Sequence, residues 1–369
     1  MTLVSITLLV LAGYVWYTFR NVNEGVKRIE VKVGVQPSQP VKEYNGKDVN
    51  ILLVGNDDRS NMTDKEVREL HVGRDGGSLA TDTMMIVHIP ANGKKATLIS
   101  LPRDTWVSIK GQGMGKLNSA YADAYVNTSG SQDQKRQAGA TALIDTVSTL
   151  TGLTIDHYIQ VDLLGFYRIS NAIGGVPVNL CSAVDDTVAH NRATGQDGGS
   201  GLKLSKGKHV LKGVQALEFV RQRHNLPHGD LDRVRRQQYF LTAAFRQVAS
   251  VGVLFKLRSV GDAITRSVFL DKGLNLLDLG RQLENLTANN ISGKTIPTTA
   301  GTLDDGTSVL FTNPAKVKRF VTNVINPPTA TPAPTTSAST SKSRPKSSTG
   351  ASSPSATKST SAIDAKCIN

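Results

Sequence analysis

Apolar residues along the chain fall into short runs and into longer segments where they recur at helical spacing. Short apolar runs bounded by turn residues predict buried strands, and apolar residues three and four positions apart predict helices. The predicted strands cover residues 50–54, 84–89, 94–100, 155–161, 176–180 and 309–311. The predicted helices cover residues 134–150, 163–173, 251–270, 274–286 and 315–324. Strands that alternate with helices are typical of an α/β sandwich with a central sheet.

Both ends of the chain differ in composition from this middle part. Residues 2–19 carry no charge, which favours a membrane anchor over the alternative of a cleaved signal peptide. Because Arg20, Lys27 and Arg28 follow this span, the positive-inside rule alone would keep the bulk of the chain in the cytoplasm. The predicted divisions are an anchor over 1–20, a stalk over 21–47, a globular domain over 48–326 and a disordered tail over 327–369.

The net charge and the cysteine count narrow the classes of function. The 369 residues carry a formal net charge of +13, which fits a polyanionic partner such as nucleic acid, an anionic membrane or an anionic polymer. Two cysteines, Cys181 and Cys367, are too few for a zinc site or a disulfide scaffold. They are compatible with one disulfide in an oxidising compartment and equally with two free thiols.

The densest chemistry lies between residues 211 and 240. This stretch contains five arginines, Arg221, Arg223, Arg233, Arg235 and Arg236. A helix is predicted to end near Arg221 and Arg223, and a second helix, capped by Asp230 or Asp232, follows the break at Pro227 and Gly229. Arg233, Arg236 and Gln237 are spaced to share one face of that second helix. A solvated basic helix is the simpler interpretation, but Glu218 and the two aspartates cannot neutralise five arginines. The stretch therefore predicts a multiply charged anion, either nucleic acid or a pyrophosphate.

Charged residues also lie at the ends of the predicted strands. Asp57 lies in the turn GNDDRS after one strand, Asp82 precedes the next, and Arg103 and Asp104 follow a third. Carboxylates at strand ends suit metal or phosphate chemistry, although an acidic turn is the simpler interpretation of each alone. Residues 62–80 are predicted to form a flexible loop. Residues 185–201 are predicted to form a surface loop with a solvated Asp185–Asp186 pair, and His157 and Tyr158 are expected in the core.

Seven motifs occur in order over about 190 residues: GNDDR, TDTMM, SLPRDT, KLNSAYA, HYIQVDLLGF, NAIGGVPV and FVRQRH followed by GDLDRVRRQQ. The ordered set closely resembles the LytR-CpsA-Psr family of cell-wall ligases, well over residues 48–250 and loosely to about 325. The resemblance implies an α/β/α sandwich with a central mixed β-sheet, preceded by one transmembrane helix. It also implies a single-pass protein of the cell membrane whose catalytic domain is extracytoplasmic. Such a protein transfers a glycopolymer from a polyprenyl-pyrophosphate carrier to a peptidoglycan hydroxyl and forms a phosphodiester.

Matching the family motifs residue by residue gives an expected site. Asp57 and Asp82 would bind Mg²⁺ or Mn²⁺. Arg103, Arg221, Arg223 and Asp104 would be catalytic, because phosphoryl transfer depends on neutralising charge spread over phosphoryl oxygens. The expected substrate-binding residues are Arg59, Lys116, Asn118, Asp230, Arg233, Arg236 and Gln237. The expected partners are the polyprenyl-linked glycopolymer donor, the peptidoglycan acceptor and the membrane.

Other functions fit part of the sequence. A pyrophosphatase that uses water as acceptor would need the same aspartates and arginines, so sequence does not separate it from a ligase. A DNA-binding transcriptional regulator fits the charge. The chain has no recognisable helix-turn-helix, aromatic stacking set or zinc spacing, so nucleic acid is not an expected partner. A non-catalytic binder of wall polymer would not need paired carboxylates beside arginines.

Overall fold

The computed structural model describes residues 20, 24–31, 33, 47–59, 62–70, 72, 77–187, 199–222, 224, 226, 230–250, 261, 263, 265, 268–283, 285–327 and 367–369. The predicted anchor over 1–20, except Arg20, and the tail over 328–366 lie outside these residues. Within the described ranges, no helix has both the length and the apolar composition needed to cross a membrane.

Fifteen strands and eight α-helices can be assigned in the described residues. The strands are β1 (Lys27–Ile29), β2 (Val49–Asp58), β3 (Gly77–Ile89), β4 (Ala96–Ser100), β5 (Thr105–Ile109), β6 (Gly113–Lys116), β7 (His157–Val161), β8 (Val176–Leu180), β9 (Val184–Asp185), β10 (Lys203–Leu204), β11 (Gly207–Leu211), β12 (Val268–Asp271), β13 (Ile291–Thr295), β14 (Thr299–Thr302) and β15 (Ser308–Phe311). The helices are α1 (Asp64–Glu69), α2 (Ser119–Asn127), α3 (Gln132–Thr151), α4 (Leu163–Ala172), α5 (Gly213–Arg221), α6 (Asp230–Ser250), α7 (Leu276–Gln282) and α8 (Pro314–Ile325).

A seven-stranded mixed sheet forms the centre, in the order β1-β12-β7-β2-β3-β4-β13. β7 pairs with β2 in parallel, whereas β2, β3 and β4 pair antiparallel. β5 and β6, which follow β4 in sequence, form a second sheet with β14 and β15, in the order β14-β15-β5-β6. Hairpin-like pairs β8–β11 and β9–β10 complete the described sheet structure.

Helices cover both faces of the central sheet. Successive strand residues face opposite sides, so Leu52 and Val54 pack towards α2, α3 and α8, where Leu143 and Val317 are buried. Ile51 and the neighbouring strands pack on the other side against α6 and α7, including Phe245. The fold is therefore a mixed α/β sandwich, as the sequence predicts.

Most predicted elements are present with small shifts at their ends. β8 covers the predicted residues, and α3, α4 and α8 begin and end within two residues of the predicted positions. α5 ends at Arg221, near its predicted end. β4 is the antiparallel partner of β3, as the turn at 91–93 predicts.

Four local predictions are wrong. Residues 62–80 contain α1, capped by Thr63 with Glu66, and the first residues of β3. β2 does not end in a glycine turn but continues through Asp58 with two register shifts. The end of the helix predicted over 251–270 is instead strand β12. Asp186 is fully buried, because its main chain bonds to Leu202 and its carboxylate accepts from the Ser200 N–H at 2.7 Å.

Residues 367–369 pack against β8. Cys367 forms a disulfide with Cys181, across 186 residues of sequence. Ile368 donates its N–H to the Asn179 carbonyl at 2.8 Å, and its own carbonyl accepts from Cys181 N–H at 3.0 Å. The Ile368 side chain is buried with Leu180 in one apolar cluster. Of the two cysteine states left open by the sequence, the structure contains the disulfide.

We expect the oxidised protein to contain no free thiol when it is denatured without reductant. Replacing both Cys181 and Cys367 by Ser should lower the free energy of unfolding by about 2–5 kcal/mol, since the crosslink restricts a long loop of the unfolded chain. Thiol titration and chemical denaturation measure the two quantities. Two titratable thiols in protein purified without reductant would contradict the assignment.

Candidate active site

The site predicted from the sequence lies at one edge of the central sheet. β2 reaches this edge at Asp57 and Asp58, and β3 passes it at Asp82, because Asn56 pairs with Thr81. β4 ends at Ser100, which brings Arg103 to the same edge after a short turn. The order of strands therefore brings together residues that are up to 46 positions apart in sequence, from Asp57 to Arg103.

Four charged side chains form a continuous chain of ion pairs there. Nη1 of Arg103 lies 2.6 Å from Oδ1 of Asp82, and Nε of Arg103 lies 3.3 Å from Oδ2 of Asp104. Asp104 in turn contacts Nζ of Lys116 at 3.0 Å. All four side chains are 19–32% exposed, so they are shielded yet reachable from solvent.

Backbone hydrogen bonds hold the segment KLN against this chain. Asn118 donates its N–H to the Arg103 carbonyl at 3.0 Å, and Leu117 donates to Thr105 at 2.8 Å. The Asn118 carbonyl also accepts from the Thr81 N–H at 3.5 Å. Lys116 ends β6 rather than beginning a helix, and α2 starts after Asn118. The main chain of Asn118 thus fixes Arg103 relative to the strand that carries Asp82.

A second ion pair lies on the neighbouring strand. Arg59 donates from Nε and from a terminal nitrogen to the two carboxylate oxygens of Asp57, in a bidentate arrangement. Gly77 makes this packing possible, since its φ is +79° and a Cβ there would overlap the Asp57 carbonyl and approach the Arg59 side chain. Asp57 and Asp82 each have an arginine partner in this structure.

Gln237 connects the arginine-rich helices to the strand edge. Its Nε2 donates to the Val220 carbonyl at 3.2 Å, and its Oε1 lies 3.5 Å from the hydroxyl of Thr83. Val220 precedes Arg221, the last residue of α5, and Thr83 follows Asp82. Gln237 therefore lies between the two groups of charged residues that the sequence predicts.

The remaining charged candidate residues belong to the arginine-rich stretch between residues 221 and 236. Arg221 is half-buried at the end of α5, and Arg233 is buried on α6, one turn before Gln237. Asp230 begins α6, but its side chain and all of Arg223 lie outside the described residues. Arg236 is buried away from the ion pairs and contacts Gln222 and Asn369. Arg235 is exposed and pairs with Asp232 at 2.9 Å.

Sequence reasoning missed two polar residues at this edge. Asn56 is 5% exposed, and neither its Oδ1 nor its Nδ2 has a hydrogen-bond partner among the residues described. Asp162 caps α4 by accepting from the Gly165 N–H at 2.6 Å. Burial is the main cause that raises the pKa of Asp162 to about 6; the hydrogen bond from the Gly165 N–H acts in the opposite direction, and the nearby Asp58 carboxylate contributes to the rise. A polar residue between apolar strand residues and a turn motif was the available signal for Asn56.

Two carboxylates on adjacent strands provide suitable oxygen donors for a divalent metal. Mg²⁺ in phosphoryl-transfer sites uses one or two carboxylates together with substrate phosphates and water. Asp57 and Asp82 match that donor set. Across the described ranges, no cluster of three or more His, Cys, Asp or Glu side chains could hold a metal by protein ligands alone. The residues present fit a metal shared with a phosphorylated substrate.

Comparison with known proteins identifies the family. The model of the LytR_cpsA_psr family matches residues 16–326. The chain belongs to the LytR_cpsA_psr family. The motifs that carry the resemblance in the sequence include those at the ion-pair chain and at α5–α6.

Curated members of the LytR_cpsA_psr family align over most of the chain. The cell wall biosynthesis protein LcpA of Corynebacterium glutamicum is 37% identical over 355 residues, which are 90% of this chain and 65% of LcpA. The polyisoprenyl-teichoic acid–peptidoglycan teichoic acid transferase TagU of Oceanobacillus iheyensis is 33% identical over 256 residues, which are 68% of this chain and 69% of TagU. The chain thus spans somewhat under two thirds of LcpA.

A solved structure has a similar fold. TagT bound to LIIa-WTA superposes with a TM-score of 0.55 at 21% identity, covering 81% of this chain and 99% of that one. The match supports the mixed α/β architecture described above.

The raised pKa of Asp162 predicts a pH dependence of stability. An unfolded aspartate has a pKa near 3.9, so between about pH 4 and 6 the folded protein retains a proton that the unfolded chain releases. This contribution makes the protein less stable as pH rises through that window. The variant Asp162→Asn retains a capping oxygen, so its melting temperature should rise relative to that of wild type between pH 4 and pH 7.

Calorimetry on both proteins measures this difference in melting temperature. Asp123→Asn, which removes an exposed carboxylate from α2, is the control for the loss of one charge. A difference between Asp162→Asn and wild type that stays constant over the window would contradict the raised pKa.

Proposed function

We propose that this protein is a phosphotransferase that moves a glycopolymer from a polyprenyl-pyrophosphate carrier to a hydroxyl of peptidoglycan. The observation that carries the proposal is the chain of ion pairs from Lys116 to Asp82, which Gln237 links to the end of α5. Asp82, Asp104 and Arg103 contact one another at one edge of the sheet, which suits the binding of a metal and a diphosphate. Membership of the LytR_cpsA_psr family supports the same activity.

The names of relatives support the class of substrate. TagU is named as a transferase that moves teichoic acid from a polyisoprenyl carrier to peptidoglycan, and LcpA as a cell wall biosynthesis protein. TagT has been solved bound to LIIa-WTA. We carry over the glycopolymer donor and the cell-wall acceptor from these relatives.

The charge pattern of the site suits a diphosphate. Phosphoryl transfer proceeds through a loose transition state in which negative charge is spread over the phosphoryl oxygens, so fixed positive groups lower its energy. Arg103 is held between two carboxylates, which orients its guanidinium before substrate arrives. Arg221 on α5 and Arg233 on α6 would add positive charge, as would Arg223 between these helices in the sequence, and Arg59 would orient Asp57.

The reaction exchanges one phosphorus–oxygen bond for another. A peptidoglycan hydroxyl attacks the phosphorus that carries the sugar, while the bond from that phosphorus to the bridging oxygen breaks. The bridging oxygen keeps the electron pair and leaves with the polyprenyl phosphate. The hydroxyl proton passes to a site carboxylate, Asp104 or Asp82, or is lost late, because the loose transition state needs little base assistance.

Asp57 and Asp82 would hold Mg²⁺, or Mn²⁺, which would neutralise charge on the diphosphate. Lys116 and the KLN segment would hold Asp104 in place from the other side.

We place the domain outside the cell membrane, held by the anchor predicted over 1–20. The Cys181–Cys367 disulfide supports this location, because structural disulfides persist in oxidising compartments and are rare in the cytosol.

Arg103→Ala should abolish glycopolymer transfer while the protein remains folded. Loss of this guanidinium removes charge from the transition state and leaves Asp82 and Asp104 without a shared partner. We expect a fall of about 10²–10³ in the transfer rate, as for removal of one preorganised donor. The assay follows joining of a sugar phosphate to peptidoglycan fragments by mass spectrometry.

Arg281→Ala is the matched control for Arg103→Ala. Arg281 also pairs with an aspartate, but it lies on α7 with its side chain 69% exposed. Transfer by Arg281→Ala should equal that of wild type. Equal rates for Arg103→Ala and wild type would rule out the proposed role of Arg103.

Asp82→Asn and removal of divalent metal by a chelator should each stop transfer, and added Mg²⁺ should restore only the wild type. The products separate the two candidate reactions. A sugar phosphate joined to the glycan identifies a ligase, whereas sugar phosphate released to water with no joined product identifies a pyrophosphatase. Full transfer by chelated wild type would exclude the metal.

A further inference from the structure

Arg236 is a buried cation on the same helix as the proposed substrate-binding residues. Its side chain is 1% exposed, and its guanidinium lies over the ring of Phe219 at 4.9 Å. Burial lowers the pKa of Arg236 to about 10, and the carboxylates of Asp232 and Asp186 act in the opposite direction. Arg236 therefore remains charged at neutral pH in a position that substrate does not reach.

The guanidinium of Arg236 contacts the segment that carries two candidate arginines. It donates to Oε1 of Gln222, which lies between Arg221 and Arg223 and is itself 1% exposed. Gln222 also donates from Nε2 to the His224 carbonyl at 2.9 Å and from its N–H to the Glu218 carbonyl at 3.0 Å. Gln222 thus bonds to the main chain on both sides of the arginines, to Glu218 through its own N–H and to His224 through its side chain.

On its other side, Arg236 contacts residues 367–369. Its Nε donates to the main-chain oxygen of Asn369 at 2.7 Å. That oxygen is held by the pairing of Ile368 with β8, by the Cys181–Cys367 disulfide and by the bond from Ser182 Oγ to Asn369 Oδ1 at 2.8 Å. One unbroken series of contacts runs from the disulfide through Asn369 and Arg236 to Gln222.

We propose that Arg236 is a positioning residue that couples residues 367–369 to Gln222 and so fixes the adjacent Arg221 for diphosphate binding. The inference rests on the proposed function, because it assigns Arg221 to the diphosphate. It gives Arg236 a different role from the direct contact expected from its spacing with Arg233 and Gln237. It also makes diphosphate affinity depend on the Cys181–Cys367 disulfide.

The test measures binding of geranylgeranyl diphosphate with Mg²⁺ to the full chain in detergent. Arg236→Met retains an unbranched side chain over Phe219 but cannot donate a hydrogen bond, and it should weaken binding about tenfold because Arg221 is misplaced. Gln222→Leu should weaken binding to a similar extent. Both residues act in one series of contacts. The affinity of the double variant should therefore equal that of the single variant with the lower affinity.

Three further comparisons separate positioning from general stability. Leu143→Ala opens a cavity under α3 on the opposite face of the sheet, so it should lower the melting temperature without changing the dissociation constant. Reduction of the disulfide in wild type should weaken binding, whereas reduction of Arg236→Met should have no additional effect. Arg236→Lys, which retains a donor and the charge, should recover part of the affinity.

The outcomes distinguish failure of the inference from failure of the function. If wild type binds the diphosphate and Arg236→Met binds equally well, or if reduction and Arg236→Met weaken binding independently, Arg236 has only a structural role and the inference is wrong. If wild type does not bind the diphosphate, the proposed function is wrong and the inference falls with it.

Discussion

The ion pair between Arg103 and Asp82 is the contact on which the geometry of the site depends. Asp82 belongs to the central sheet, while Arg103 begins the segment that leads into the second sheet. Asp104 extends the contact to Lys116 at the end of β6. The alternating signs of these four side chains offset the repulsion between Arg103 and Lys116, and partial burial strengthens each pair relative to an exposed one.

The arginines of this protein fall into two groups that their sequence spacing does not reveal. Arg103 at the sheet edge and Arg221 at the end of α5 have part of their surface exposed, whereas Arg236 is enclosed by aromatic, amide and main-chain partners. A guanidinium has five donors in a fixed plane, so it can hold several chain segments together as well as bind an anion. Arg236 accordingly holds α6, Gln222 and residues 367–369 together.

Patterns of apolar residues were sufficient to predict most of the fold, because strands such as β8 and helices such as α3 bury continuous apolar faces. Predictions from these patterns were wrong where the local structure depends on partners that are distant in sequence. β2 continues through the polar residues Asn56 to Asp58 because β3 pairs with them, and Asp186 is buried by main-chain bonds to residues 200–202. The identity of the candidate site residues came from family motifs, but the burial of Arg236 needed the position of Asn369, 133 residues away.

The disulfide closes a covalent ring that contains some of the candidate site residues and leaves the others outside. Arg221, Arg233 and Gln237 lie inside the ring that Cys181 and Cys367 close, while Asp57, Asp82 and Arg103 lie outside it. One proteolytic cut anywhere between the two cysteines would therefore leave both pieces joined as a single molecule. Such a nicked protein would migrate intact on a non-reducing gel and separate into two fragments once the disulfide is reduced.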